Sequence, residues 1–224
     1  MNVVVRIGGS VIGSPPNPHL IREYANILQN LRGQGHRLVV VVGGGEPARE
    51  FIRLARDVGL AEPEQDEAAI TVSRLFAQIL AMCIGGSEWK RIPETIRDAL
   101  RILNKRGIVI MGGLKPGMTT DTVAALIASK VNADLIIKAT NQDGIYTRDP
   151  KRYADAVKLD FVSFEELDRF MPHDKHEAGI HQIVDPQAVR LLKKKRIKMV
   201  VVNGFKPSNI ALAIEGRNVG TSIQ

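Results

Sequence analysis

Short runs of apolar, often β-branched residues alternate along the chain with longer segments whose apolar residues recur at helical spacing. The short runs predict buried strands, because a strand that is covered on both faces is continuously apolar. Five strands are predicted, at residues 3–5, 38–42, 108–111, 135–137 and 199–202. Five helices are predicted, at residues 20–31, 48–58, 65–82, 92–105 and 184–195. Pro93 is expected to open the fourth helix, and Asp185 is a candidate N-cap of the fifth, before Pro186.

This alternation predicts the fold class. Strands separated by helices are typical of an α/β fold, with a central, mainly parallel sheet between layers of helices. The sequence contains no internal repeat and no clear linker, so residues 1–224 are predicted to form a single domain with two lobes. The core pattern is weakest over residues 154–182, and any boundary between the lobes would fall before that segment.

Glycine-rich turns follow three of the predicted strands. They are Gly8-Gly9-Ser10, Gly43-Gly44-Gly45 and Gly112-Gly113. Ligands of open parallel sheets bind beyond the carboxyl ends of the strands, and glycine turns present backbone N–H groups there to anions. One such turn is often needed for steric reasons alone, but three along one sheet edge predict phosphate binding. Two facing anion sites would suit transfer between phosphates.

The third turn runs directly into a predicted helix, in the segment MGGLKPGMTTDTVAALIASK at residues 111–130. Thr119, Thr120 and Asp121 stand where a helix begins, a place that favours hydroxyl and carboxylate side chains as caps. The residues alone leave two interpretations open. The segment is either a turn with a good N-cap or a loop that binds phosphate.

Composition and charge narrow the function classes. The chain has 31 basic and 24 acidic residues, a formal charge of +7, which suits an anionic ligand. Aromatic residues make up only 4%, so a basic and aromatic nucleic-acid platform is not expected. The dense basic run at residues 193–196 is expected to be the solvated end of a helix. P-loop, dinucleotide, protein-kinase, nucleophile-elbow and paired-cysteine zinc motifs are all missing from the sequence.

Cysteine usage and hydropathy predict a cytoplasmic protein. Cys83 is the single cysteine, so an internal disulfide is impossible, and its apolar surroundings at residues 79–84 predict a core position. The N-terminus shows no leader pattern, and no apolar run is expected to approach the roughly 20 residues that a membrane span needs. No membrane partner is therefore expected.

The segment ATNQDGIYTRDP at residues 139–150 resembles a motif of the amino-acid-kinase family. The segments RIGGS, VVVGGGEPAR, GGLKPGMTTDTVAAL and IVDPQAV resemble other motifs of that family, in the same order and spacing. The presence of both GGGxxAR and PGxTTDxVAAL resembles the uridylate branch of that family, in its archaeal type. The resemblance implies an N-terminal acceptor lobe, a C-terminal lobe for the donor nucleotide, and transfer of the γ-phosphoryl group from ATP to UMP. It also implies Mg²⁺ held mainly by phosphates, small nucleotides as partners, and a homohexamer built as a trimer of dimers.

The resemblance further implies roles for individual residues. Arg6 and Asp121 match the catalytic centre, where Asp121 is expected to orient cationic groups rather than to act as a base. The positions that match ATP contacts are Gly9, Ser10, Gly45, Arg49, Thr140, Asn141, Tyr146 and Asp149. The positions that match UMP contacts are Gly44, Asp66, Leu114, Lys115, Pro116, Gly117, Met118, Thr119 and Thr120. No protein ligand to a metal is predicted.

Some positions depart from the family pattern or have simpler explanations. Arg6 stands where many family members have lysine; it keeps the charge, although an arginine that reaches solvent from a strand end would be equally ordinary. Lys138 and Lys115 could add positive charge, but each is predicted to be an ordinary exposed lysine. Phe76 is predicted to be a core residue. The cluster His173, His176 and His181 is expected to belong to a surface loop rather than to a metal site.

Three functions stay open from the sequence. The first is a UMP kinase, and the second is a kinase of the same family with another acceptor. Isopentenyl phosphate kinases carry a histidine near the second glycine turn, and this chain has none there. The third is a nucleotide-binding regulator without turnover, which the altered acceptor segment and Arg6 permit. A nucleic-acid-binding module is the weakest alternative.

Overall fold

Buried β-branched strands build the centre of the molecule. The computed structural model describes residues 1–170 and 184–224, so the predicted cluster of His173, His176 and His181 lies outside the described residues. The strands are β1 Asn2–Ile7, β2 Arg37–Val42, β3 Ile108–Met111, β4 Leu135–Thr140, β5 Ile145–Tyr146, β6 Lys158–Leu159, β7 Phe161–Val162, β8 Met199–Asn203 and β9 Gly220–Ile223. Seven of them form one sheet in the order β3-β2-β1-β4-β8-β9-β7, while β5 and β6 pair separately.

Helices cover both faces of this sheet. They are α1 Gly9–Ile12, α2 Pro18–Gly33, α3 Gly45–Asp57, α4 Glu62–Gly85, α5 Ile96–Arg106, α6 Thr120–Val131, α7 Phe164–Phe170, α8 Pro186–Lys195 and α9 Ser208–Ile214, with a 3₁₀ turn at Gly86–Trp89. Alternate strand residues face opposite layers. Val3 and Val5 pack in the core that includes α2 and α4, whereas Val4 packs in the core that includes α6 and α8.

Strand direction agrees with the prediction of a mainly parallel sheet. β1 pairs in parallel with β2 and with β4, β2 pairs in parallel with β3, and β4 pairs in parallel with β8. The exception is β9, which runs antiparallel to β8 and pairs in parallel with β7. The α/β fold class is therefore confirmed, and β9 is an addition that the apolar pattern did not predict.

Local capping fixes where the helices begin. Asp185 caps α8 as predicted, because its carboxylate accepts hydrogen bonds from the N–H groups of Gln187 and Ala188. The predicted start of the fourth helix is wrong, since α5 begins at Ile96 and not near Pro93. The Thr95 hydroxyl accepts the N–H of Asp98 and supplies the cap.

Two predictions about the residues of helix α4 are wrong. Cys83 is exposed and not a core residue, because it lies on the outer side of a helix that buries only part of its circumference. The stretch Glu62–Trp89 is long and apolar enough to cross a membrane by length and composition, so the expectation that no run approaches that length is wrong. Length and composition are a weak indication of a membrane span, because a core helix passes the same test. Phe76 lies in the core as predicted, 7% exposed.

Candidate active site

The three glycine turns lie side by side at one edge of the sheet. They follow β1, β2 and β3, which are parallel neighbours, so their carboxyl ends meet there. The first two turns pack backbone against backbone: a Cβ on Gly9 would lie 1.9 Å from the Gly45 nitrogen. Gly45 also has a φ of 66°, a left-handed conformation that favours glycine. Positions 9 and 45 therefore require glycine, because the backbones of the first two turns approach each other too closely for a side chain.

A buried cluster of three charged side chains lies beside the turns. Arg6 on β1 and Lys138 on β4 are register partners, so their side chains are neighbours across the sheet. Asp121, in the first turn of α6, pairs with both cations: Arg6 Nε lies 2.7 Å from Oδ1, and Lys138 Nζ pairs with Oδ2. The Nε–H of Arg6 does not point along this line, so the contact is an ion pair rather than a directed hydrogen bond.

Burial makes these charges interact strongly. The exposed fractions of the side chains are 18% for Arg6, 11% for Asp121 and 5% for Lys138. Burial opposes the charge on Asp121, but the neighbouring cations Arg6 and Lys138 prevail and lower the pKa of its carboxyl. Burial lowers the pKa of the Lys138 amine to about 8, although Asp121 opposes that shift. At neutral pH the cluster keeps two positive charges and one negative charge, a net attraction for an anion.

The side chains of Arg6 and Lys138 both turn inward to Asp121. The interpretation of Arg6 as an arginine that reaches solvent is wrong, because its guanidinium turns inward to Asp121 and donates to the Thr120 hydroxyl at 3.0 Å. The prediction of Lys138 as an exposed lysine is also wrong. It stands in a strand that is covered by helices on both faces.

The start of α6 is both a helix cap and a junction. The Thr119 hydroxyl accepts the N–H of Thr122 at 3.1 Å, which makes it the N-cap. The same hydroxyl donates to Asp185, the cap of α8. The amino ends of two helices therefore meet next to the charge cluster, and both add partial positive charge there.

A pocket of about 390 Å³ opens beside the cluster. Its lining includes seven of the nine residues that were predicted to contact the acceptor: Gly44, Asp66, Lys115, Gly117, Met118, Thr119 and Thr120. Leu114 and Pro116 do not line it. Helix α4 contributes Ala69, Ile70 and Ser73, which the sequence reasoning missed. The predicted acceptor positions thus come together in one cavity between α4 and residues 114–120, which we call the acceptor loop.

Helix α4 holds the acceptor loop by its polar side chains. Asp66 Oδ2 accepts the N–H of Gly117 at 2.8 Å, so it supports the loop as well as lining the pocket. Ser73 Oγ accepts the N–H of Gly113 at 2.8 Å. The positions 66 and 73 are two helical turns apart and therefore lie on one face of α4, but α4 carries other polar residues, so this spacing alone was no clear signal.

The predicted donor residues fall into two groups. Gly9, Ser10, Gly45, Thr140 and Asn141 lie at or just beyond the strand ends of this same edge. The others satisfy local partners: Arg49 pairs with Glu46 at 2.6 Å, and the Asp149 carboxylate accepts the N–H of Lys151 at 2.9 Å. Tyr146 lies on the separate β5–β6 ribbon.

The sequence also matches a known protein family. A family model described as "Amino acid kinase family" matches residues 1–203. The chain belongs to the amino acid kinase family.

Among curated members of this family, the chain is similar to uridylate kinases of methanogenic archaea. It is 39% identical over 223 residues to the uridylate kinase of Methanothermobacter thermautotrophicus, covering 100% of this chain and 99% of that protein. It is 38% identical over 226 residues to that of Methanocaldococcus jannaschii, with full coverage of both. The crystal structure of uridylate kinase from Archaeoglobus fulgidus superposes with a TM-score of 0.88 at 36% identity, over all of both chains.

Lys138 is the main functional candidate that sequence reasoning dismissed. A signal was present: lysine interrupts the apolar strand LIIKAT at a position that both flanking residues predict to be buried. A buried lysine requires a partner, and the segment that resembles a family motif begins at the end of this strand. That Lys138 on β4 is the register partner of Arg6 on β1 could be recognised only from the strand order.

Proposed function

We propose that this protein transfers the γ-phosphoryl group of ATP to UMP, giving ADP and UDP. Family membership supports phosphoryl transfer, and the relatives named above are uridylate kinases along their whole length. The observation that carries the proposal is the placement of the pocket: its lining includes Thr120, which accepts a hydrogen bond from Arg6 and directly precedes Asp121 in α6. An acceptor phosphate in that pocket would lie within the field of the cluster.

The proposed reaction needs charge neutralisation more than proton removal. A phosphate oxygen of UMP attacks the γ-phosphorus, and the bond from that phosphorus to the β–γ bridging oxygen breaks, leaving ADP. The attacking oxygen is ionised near neutral pH, so no general base is required. Arg6 and Lys138 offset negative charge on the transferred group, and Asp121 keeps both cations in place and Lys138 protonated.

The donor is proposed to be MgATP, with its phosphates along the first two glycine turns. The close contact of Gly9 with Gly45 supports this, because it leaves backbone rather than side chains at the edge. Within residues 1–170 and 184–224, no group of three His, Cys, Asp or Glu residues is placed to hold a metal ion. Mg²⁺ is proposed to enter with ATP, held mainly by phosphates and water, as is common for this ion.

Several finer features of the proposal come from the family resemblance. We propose one domain, whose N-terminal lobe binds the acceptor and whose C-terminal lobe binds the donor nucleotide. We further propose that the protein works in the cytoplasm, in pyrimidine nucleotide synthesis, as a homohexamer. Light scattering of the purified protein tests the assembly: a mass near six times 24.6 kDa is expected.

A coupled assay for nucleoside diphosphates tests the reaction. MgATP is supplied with UMP, CMP, dTMP, GMP, AMP or isopentenyl phosphate in parallel, and UMP is expected to give the highest kcat/KM. A higher kcat/KM for a different acceptor would show that UMP is not the preferred acceptor, while the proposal for the ATP site would stand. ATP binding without turnover of any acceptor would favour a nucleotide-binding regulator.

A further inference from the structure

Arg74 joins helix α4 to the backbone at the beginning of the acceptor loop. Its Nε donates to the carbonyl oxygen of Gly113 at 3.1 Å, and one terminal nitrogen donates to that of Leu114 at 3.1 Å. The other terminal nitrogen donates to Glu94 at 2.7 Å. The Arg74 side chain is only 18% exposed, and its bonds to the two carbonyls are partly buried, whereas its bond to Glu94 is exposed.

Arg74 does not line the acceptor pocket, although its neighbour Ser73 does. It lies instead in a separate outer groove with Lys90 and Glu94. To serve as a ligand of a molecule in the pocket, the guanidinium would have to leave the two carbonyls, Glu94, and Glu67, with which it pairs at 4.0 Å. Its contacts with the loop itself are made to the backbone alone.

The two bonds fix the direction of successive peptide groups. Both carbonyl oxygens, of Gly113 and Leu114, face Arg74, which does not line the pocket. A carbonyl oxygen that turned into the pocket would repel the phosphate of an acceptor. The N–H of Gly113 is held separately by Ser73. Beyond this point residues 115–117 are exposed, so the start of the loop depends on these contacts for its shape.

We infer that Arg74 is a positioning residue for the acceptor: its fork holds the Gly113 and Leu114 carbonyls out of the pocket and so keeps the acceptor loop ready to bind phosphate. This inference rests on the proposed function for the identity of the acceptor. A planar guanidinium suits the role because it reaches two carbonyls and a carboxylate at once, whereas a lysine amine is a single point of contact.

The test compares Arg74→Met with Arg74→Lys and Glu94→Gln. Met keeps an unbranched apolar stem but donates no hydrogen bond. We expect Arg74→Met to raise KM for UMP at least about tenfold, with kcat and KM for MgATP within about twofold of wild type. Arg74→Lys is expected to be intermediate, and Glu94→Gln, which leaves the carbonyl bonds in place, to stay near wild type. Arg101→Met is the matched control, since Arg101 is 80% exposed and pairs only with Asp98 in the described contacts.

Hydrogen exchange of the ligand-free protein provides a measurement that does not depend on the acceptor. Amide exchange of residues 113–118 is expected to quicken about tenfold in Arg74→Met and to be unchanged in Arg101→Met. Unchanged exchange, an unchanged KM for UMP, or an equal rise in both KM values would overturn the inference. An effect of Glu94→Gln as large as that of Arg74→Met would also overturn it, because the ion pair would then be responsible. Failure of wild type to phosphorylate UMP is a separate result that concerns the proposed function, and the exchange data still decide the role of Arg74.

Discussion

Replacing Asp121 by asparagine removes the negative charge between Arg6 and Lys138 while it preserves side-chain size. At about 4 Å and an effective dielectric constant of about 20, an opposite charge favours a protonated lysine by about 4 kcal/mol, roughly a thousandfold. The pKa of Lys138 beside Asp121 is about 8. About nine tenths of the molecules therefore carry that charge at pH 7 in the wild type.

Without Asp121 the charged fraction of Lys138 falls to about 1% at pH 7. We expect kcat/KM for Asp121→Asn to fall about a hundredfold at pH 7, and the deficit relative to wild type to shrink about tenfold at pH 6, where more of the lysine is protonated. Initial rates in the coupled assay measure this, at a temperature where circular dichroism shows both proteins folded. Loss of one partner from a buried pair costs about 3–5 kcal/mol of stability.

The matched control for this variant is Asp155→Asn. Asp155 is 71% exposed and pairs with Arg148 at 3.2 Å, so its loss should leave the rate unchanged. Activity of Asp121→Asn within about threefold of wild type at pH 7 would refute the role of the buried cluster in charge neutralisation.

Three further predictions concern the same site. Because the pKa of Lys138 in the folded protein is lowered to about 8, its positive charge is present below that pH and lost above it. Wild-type kcat/KM should therefore fall about tenfold per pH unit above about pH 8, and a flat pH profile to about pH 9.5 would contradict this. Gly9→Ala places a Cβ 1.9 Å from the backbone of the second glycine turn and should lower both activity, by about a hundredfold, and the melting temperature, whereas Gly33→Ala, with nothing within 4 Å, should do neither. Asp66→Ala removes the acceptor for the Gly117 N–H and should raise KM for UMP about tenfold while KM for MgATP stays unchanged, which steady-state kinetics with each substrate varied can check.

Strands and glycine turns were predictable because their signal is local. A buried strand needs a continuous apolar run, and β2, RLVVVV, shows one in six residues. The parallel arrangement then places the turns at one edge without further information. The basic run at the end of α8 also lies at the helix terminus as predicted, where cations meet free carbonyls.

The remaining features depend on contacts between distant residues. β9, with the sequence GTSI, is too short and polar to be recognised alone, and only its pairing with β8 makes it a strand. Cys83 lies in an apolar run, but which side of α4 faces the sheet follows from packing. The inward direction of Lys138 follows from its pairing with Asp121, 17 positions earlier in the chain. Arg74 carries no motif at all, and its bonds to the loop appear only in three dimensions.

The antiparallel strand β9 imposes an order on the assembly of the sheet. β7 joins the sheet through β9, which in turn pairs with β8, so within residues 1–170 and 184–224 the pair 161–162 has no sheet partner until residues 220–223 are in place. During synthesis the strands β1 to β4 leave the ribosome first and can pair among themselves. The segment that contains β7 must then wait for about sixty more residues, roughly three to twelve seconds at ordinary translation rates. Termination after β8 but before β9 would leave β8 as an unprotected edge, open to pairing with other chains.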